Sequence, residues 1–467
     1  MARTTHRILA PLAASLLLSA CAAQQQAQPA PGAAPPSQVE IKVMGPIRPL
    51  PGGLDQGLVF NSNSPEVVQS EGILLSTLPP ATAATPSAHL DLPFSGAFSL
   101  FSHHIAKDEA PGARQLYLGL LATNLGDRPV NLDLVGGASY LSQPDAVFKP
   151  LEPIVPDPQG VVFAGPGDRV ATDLLHGRTS VPTIAETLLP GATKLVRTWS
   201  IPTNVAIPPA VNGRTTVLRL KSDGPVYLSQ VARFAVKAPD GSWIAPSEED
   251  YALLLGTSLM AGPREAAATP FDPNLPPPKG AFRFGRVAGV SKGDRWDATL
   301  FGAEQSLPGL GEQVSYPIAT TFLNRLGTGQ NQSAPLVRRY PDTAYQAHGN
   351  YGVTYALTVP LDNPDPTPRL YTFALSHPVR AEGDRTAVYV DPPNKPVTFR
   401  GPVKLEWKNA KGFPEVRYTH LVLRHGQVLP PFETVEVPPH TRYDVKVTLS
   451  YPADATPPQL LTIGRRR

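Results

Sequence analysis

Residues 115–135 read QLYLGLLATNLGDRPVNLDLV, and this stretch decides the fold class. Leu116-Tyr-Leu-Gly-Leu-Leu121 is a short unbroken apolar run, the pattern of a buried strand. Asn124-Leu-Gly-Asp-Arg-Pro129 is a cluster of turn formers. Val130-Asn-Leu-Asp-Leu-Val135 then alternates with period two, as a strand with one face in the core does. Strand, turn and strand together read as a β-hairpin.

The arrangement recurs about 240 residues on, with Tyr355–Leu361, a turn over Asp362–Pro368, and Leu370–Leu375. Downstream, Leu189-Pro190-Gly191 leads into a strand over 193–201, and Val437-Pro438-Pro439 leads into one over 443–449. The same order in both halves predicts two related β-sandwiches, resembling immunoglobulin-like domains in architecture. Proline is 56 of the 467 residues, roughly twice its usual ~5% share, and it excludes long helices almost everywhere. One helix remains: Ser247-Glu-Glu-Asp250 offers a cap and an acidic first turn, Tyr251, Leu254, Leu255 and Leu259 recur at helical spacing, and Gly262-Pro263 stops it. The expected fold is therefore all-β, two immunoglobulin-like β-sandwich domains with one short helix between them.

A basic start with Arg3 and Arg7, the apolar run Ile8–Leu18 and the ending Leu18-Ser-Ala-Cys21 form a secretory signal layout, too short to span a bilayer. The ending resembles the lipobox of bacterial lipoproteins, which implies lipidation of Cys21, the only cysteine in the chain. The following AAQQQAQPAPGAAPPSQ (22–38) has too little apolar surface to fold and reads as a tether. Proline again dominates AAATPFDPNLPPPKG (266–280). The expected organisation is a signal peptide over 1–21, a tether over 22–40, a first sandwich over 41–262 and a linker over 263–280. A second sandwich covers 281–467.

The formal charge of +3 drops to +1 once Arg3 and Arg7 leave with the signal, so there is no electrostatic case for nucleic acid. No cofactor motif, nucleophile elbow or zinc spacing is present, and neither a catalytic residue nor a metal ligand is assigned. His103-His104 fall on opposite faces of a strand, as do His420 and His425, and read as ordinary hydrogen-bonded histidines. Gly165-Pro-Gly-Asp168 and the Asp362-Asn363/Asp365 group read as turns. The segment 324–350 shows little strand periodicity and is rich in amides, arginine and tyrosine. It is the candidate recognition loop, with Arg339, Tyr340, Tyr345 and His348 as its exposed binding residues.

VFNSNSPEVVQSEGILLST (59–77), GGASYLSQPDAVF (136–148), AGPGDRV (164–170), GRVAGV (285–290), YPDTAYQAHGNYGVTY (340–355) and YPADATPPQ (451–459) carry a sharper likeness. With them the chain, from about 45 to 463, resembles an uncharacterised domain-of-unknown-function family of exported bacterial envelope proteins, best represented in cyanobacteria. The resemblance implies an extracytoplasmic setting and no reaction. The sequence reading is thus a lipid-anchored envelope protein that binds or scaffolds. Its expected partners are the membrane through its lipid, and an envelope glycan or another envelope protein. A glycan-binding module and a glycan-active enzyme are the alternatives.

Overall fold

The computed structural model describes residues 38–80, 85–107, 114–203, 211–257, 259–301, 307 and 312–466. The signal segment, Cys21 and nearly all of the tether lie outside them. About half of the chain is strand and little is helix, an all-β architecture. The early strands are β1 (Val39–Met44), β2 (Gly53–Leu54), β3 (Leu58–Ser62), β4 (Val67–Val68) and β5 (Gly72–Ser76). Then come β6 (Phe94–Ala106), β7 (Leu116–Thr123), β8 (Val130–Leu141), β9 (Ile154–Pro156) and helix α1 (Pro166–Leu175). β10 (Ile184–Leu188), β11 (Thr193–Ile201), β12 (Asn212–Phe234), β13 (Val236–Lys237), β14 (Trp243–Ile244) and helix α2 (Glu248–Thr257) close the first half. The second half opens with β15 (Ala288–Lys292), β16 (Arg295–Thr299), β17 (Gln313–Ile318), β18 (Ala334–Arg339) and β19 (Gln346–Ala347). It continues with β20 (Thr354–Asn363), β21 (Arg369–Ser376), β22 (Arg380–Glu382), β23 (Thr386–Asp391) and β24 (Val397–Lys408). β25 (Pro414–Arg424), β26 (Glu433–Val437), β27 (Thr441–Ser450) and β28 (Gln459–Arg466) complete it.

The two turns expected to close hairpins do not. β7 pairs with β11 and β12, while β8 pairs with β10 and β12. In the second half β20 pairs with β27, and β21 with β26. In each half four strands are therefore nested, first with fourth and second with third: β7, β8, β10 and β11 in the first half, β20, β21, β26 and β27 in the second. The internal repeat holds in topology while its first two strands part into different pairings. A fully buried side-chain amide sits at each turn. Asn124 Nδ2 donates to the carbonyls of Arg128 (2.8 Å) and Leu188 (2.9 Å), and Oδ1 accepts from the Gly126 N–H (2.8 Å). Asn363 repeats this with Thr367 (2.9 Å), Val437 (2.8 Å), Pro438 (2.9 Å) and the Asp365 N–H (3.1 Å). Each asparagine ties the first turn of its half to the turn that follows the third strand. In those later turns the left-handed position is taken by Gly191 (φ 73°) in one half and His440 (φ 52°) in the other.

The expected division at 263–280 is not where the strands divide. β15, β18 and β19 extend the large sheet of the first half through β3, whereas β2 and β9 join the second-half sheet through β16 and β25. β1 pairs along β23. Each half covers sheet edges of the other, which satisfies backbone groups that a clean cut would expose. One core gathers Trp296, Tyr316, Tyr355, Phe373, Phe399 and Val447 with Leu50 from the early chain. Another gathers Phe60, Phe94, Leu120, Leu218 and Leu228 with Val290 and Tyr340 from the late chain.

Helix α2 forms where periodicity and capping predict it: the Asp250 N–H donates to Ser247 Oγ (3.2 Å), and the Ser247 N–H donates to the Asp250 carboxylate (2.9 Å). Leu259 lies beyond its end and is 57% exposed, not part of the buried stripe. Helix α1 departs from the sequence expectation. Its Gly165-Pro166-Gly167-Asp168 start reads as a turn, yet proline at the first helical position and an aspartate in the first turn are start signals.

Candidate functional site

The 324–350 segment contains β18 and β19 and does not present its four candidate residues together. The Tyr340 side chain is only 2% exposed; its hydroxyl accepts from the Ser76 N–H (3.0 Å) and donates to the Ala88 carbonyl (2.8 Å), both on the first half. Arg339 spends its Nη1 on the carbonyls of Tyr340, Pro341 and Thr343, and its guanidinium lies 3.7 Å from the centre of the Tyr345 ring. The His348 ring stacks on Phe284 at 4.8 Å, and burial, helped by Arg286, pushes its pKa down to about 4. The expected exposed surface of Arg339, Tyr340, Tyr345 and His348 is therefore corrected: Tyr340 is core, and Arg339 satisfies the loop's own carbonyls. Gln332 and Asn350 are buried as well, so this polar composition serves the backbone rather than solvent.

A different place is open. A cleft of about 520 Å³ lies between elements of the two halves. Its floor is the outer face of the β16-β20-β27-β24 part of the second-half sheet. Alternation turns Val445, Val447 and Leu449 into the core and leaves Lys446, Thr448 and Ser450 on the cleft side. Pairing sets Thr354 opposite Ser450 and Arg295, Lys404 opposite Thr448, and Glu406 opposite Lys446. The facing wall is Val135–Gly137 of β8, Arg219 of β12 and the turn after α1 carrying Arg178 and Thr179. The backbone approaches so closely there that a Cβ on Gly137 would sit 2.3 Å from the Val217 carbonyl oxygen.

Five cations line the cleft against one lining carboxylate, Glu406. Acids next to the cleft hold the arginines: Asp173 takes Arg178 (2.8 Å), Asp294 takes Arg219 (2.8 Å) and Asp297 takes Arg295 (2.7 Å). Lys404 and Lys446 share Glu406, the second at 3.5 Å. Burial opposes ionisation of Glu406, but the two lysines win and hold its carboxyl below the usual range. The side chains of Thr354, Thr448 and Ser450 face this space, so the cleft offers cations and hydroxyls on a rigid sheet face. No aromatic residue is among those lining it.

Helix α1 connects this cleft to a buried charge cluster. Its last turn and the residues after it form cleft wall, while Asp168 in its first turn lies 2.8 and 3.0 Å from His420 Nε2, both side chains fully buried. Asp454 sits against the same helix start: a Cβ on Gly165 would come within 2.6 Å of its Oδ2, and one on Gly167 within 2.9 Å of its Oδ1. Arg400 approaches Asp454 at 4.0 Å and lies over the Phe148 ring. Burial pushes the Asp454 carboxyl up to about 7, Arg400 opposing and the Asp168 charge adding to it. A His–Asp pair shut away from solvent cannot meet a substrate; it ties the first turn of α1 to β25, while the helix packs on β24 and β27. Among the described residues no group of three or more His, Cys, Asp or Glu could hold a metal ion.

Sequence reasoning treated His420 as ordinary and Asp168 as a turn residue, and left Asp454, Arg400 and the whole cleft unremarked. The polar alternation of Lys446, Thr448 and Ser450 was the one available signal. The family described as "Protein of unknown function (DUF3370)" matches residues 45–465. No curated protein matches the chain. Among solved structures, procruciferin, an 11S globulin from Brassica napus, aligns over 85% of this chain and 86% of that one, at 11% identity and a TM-score of 0.10. A likeness that slight carries no argument about fold or function.

Proposed function

The chain belongs to the DUF3370 family of proteins of unknown function, and from that premise we propose that it is a lipid-anchored binding module of the cell envelope. Two related immunoglobulin-like sandwiches joined by exchanged strands serve as its rigid frame. The observation that carries the binding role is the 520 Å³ cleft between them, floored by a polar sheet face. Glycoside hydrolysis of the common kind takes two carboxylates, and the cleft lining supplies Glu406, already shared by two lysines; this favours binding over turnover. The anchor rests on Leu18-Ser-Ala-Cys21 and the tether that leads into β1.

Thr448→Trp places an indole on the cleft floor at a half-buried position that the core does not use. It is expected to leave folding intact and to lower co-sedimentation of residues 38–467 with isolated envelope fragments at least about tenfold, since a blocked site loses its whole contact area. Equal co-sedimentation of the variant and its parent rules the cleft out as the site. The anchor is tested separately, by mass spectrometry of the mature protein from its native host. The expected amino terminus is an acylated Cys21, and an unmodified Cys21 or cleavage elsewhere refutes the anchor.

A further inference from the structure

We infer that the cleft takes an anionic polysaccharide, one whose sugar rings carry carboxylate or sulfate groups, and this rests on the cleft being the binding site. Its cations are spread out rather than clustered. Arg295 stands on β16 and Lys404 on β24, three strands away, roughly 14 Å at about 4.8 Å per strand. Lys446 lies beside Lys404 on β27, and Arg219 and Arg178 face them from the opposite wall. A polymer with one negative group per ring or two meets such a row. The hydroxyls of Thr354, Thr448 and Ser450 lie between the charges, where sugar hydroxyls would sit.

The lining also argues against other occupants. Neutral sugars and nucleobases are commonly held by stacking on aromatic faces, and this lining has none. A dense polyphosphate would ask for many unpaired cations, whereas Arg178, Arg219 and Arg295 each already hold a carboxylate. Those carboxylates keep the guanidinium groups in place. Arg178 spends Nε and Nη2 on Asp173 and its Nη1 and Nη2 on the Gln159 and Gly160 carbonyls, so it contributes chiefly charge and position. Lys404 and Lys446 are the direct ligands at one end of the row, Arg219 and Arg295 extend the positive charge along it, and Glu406 is the group that an incoming anion must displace from the lysines.

Binding of residues 38–467 to defined probes tests this: oligogalacturonate for the carboxylate source, dextran sulfate for the sulfate source, and neutral dextran as control. The expected result is binding to at least one charged probe, none to dextran, and affinity falling about tenfold between 50 and 300 mM salt. Lys404→Gln with Lys446→Gln should weaken binding about tenfold or more. Glu406→Gln should tighten it several-fold, because it frees both lysines at once, a gain that a merely structural Glu406 would not produce. Equal binding of dextran, loss of binding in Glu406→Gln, or indifference to the lysine pair overturns the inference. If Thr448→Trp abolishes envelope binding while neither charged probe binds, the cleft stands as the site and only the ligand class falls.

Discussion

Asn363→Ala is expected to destabilise the protein by about 3–5 kcal/mol, and Asn124→Ala by a similar amount. Each asparagine is fully buried in its turn and serves several backbone groups at once. At Asn363 the amide serves three carbonyls and one N–H; at Asn124 it serves two carbonyls and one N–H. Each buried group left without a partner costs roughly 1–3 kcal/mol, and alanine orphans several at once. Asn→Asp at either site should be nearly as harmful, since a carboxylate cannot donate to those carbonyls. Chemical denaturation, comparing midpoints at constant slope, measures the effect. A large loss at one site with none at the other would show that the repeat is topological and that its two asparagines are not equivalent.

The second large effect is a pH dependence located at Asp454. Its carboxyl is pushed up to about 7 from an ordinary 3.8, by burial first, with Arg400 opposing and Asp168 adding. A folded state that holds its proton more tightly than the unfolded chain is favoured below pH ~4 and loses that advantage as pH rises through about 7. The difference of roughly three pKa units corresponds to about 4 kcal/mol. Asp454→Asn keeps the shape beside Gly165 and Gly167 without a charge to bury. The variant should therefore be more stable than the parent by about 2–4 kcal/mol above pH 8, and nearly equal to it at pH 4. Thermal unfolding at pH 4.5, 7 and 8.5 decides this. A parent that gains stability over the variant as pH rises would mean that Asp454 is ionised and paired with Arg400.

Helix α1 links the buried cluster to the cleft. Its first turn carries Asp168 beside Asp454, and its end forms cleft wall, so the charge state of Asp454 bears on the same ten-residue helix that leads to Arg178 and Thr179. None of this could be read from the AGPGDRV segment alone. Glycine, proline and aspartate favour turns, and whether they start a helix instead depends on the residues after them and on the surfaces packed against them.

The β class, the one capped helix and the recurrence of strand, turn, strand and proline-led strand in both halves were determined by the sequence alone. Alternation at 130–135 and 443–449, proline throughout and the Ser247-to-Asp250 cap act within a few residues, so local chemistry suffices to specify them. Which strands pair was decided only by tertiary structure. A period-two strand, a turn and a second strand have the same local chemistry whether the chain folds back into a hairpin or crosses to another pairing, as β7 and β8 do. Burial of Tyr340, exchange of β2 and β9 for β15 and β18, and the meeting of Lys446 with Glu406 and Arg295 with Thr354 were decided there as well. Each joins residues tens to hundreds of positions apart, and the free energy that selects them comes from packing and from hydrogen bonds that no local window contains.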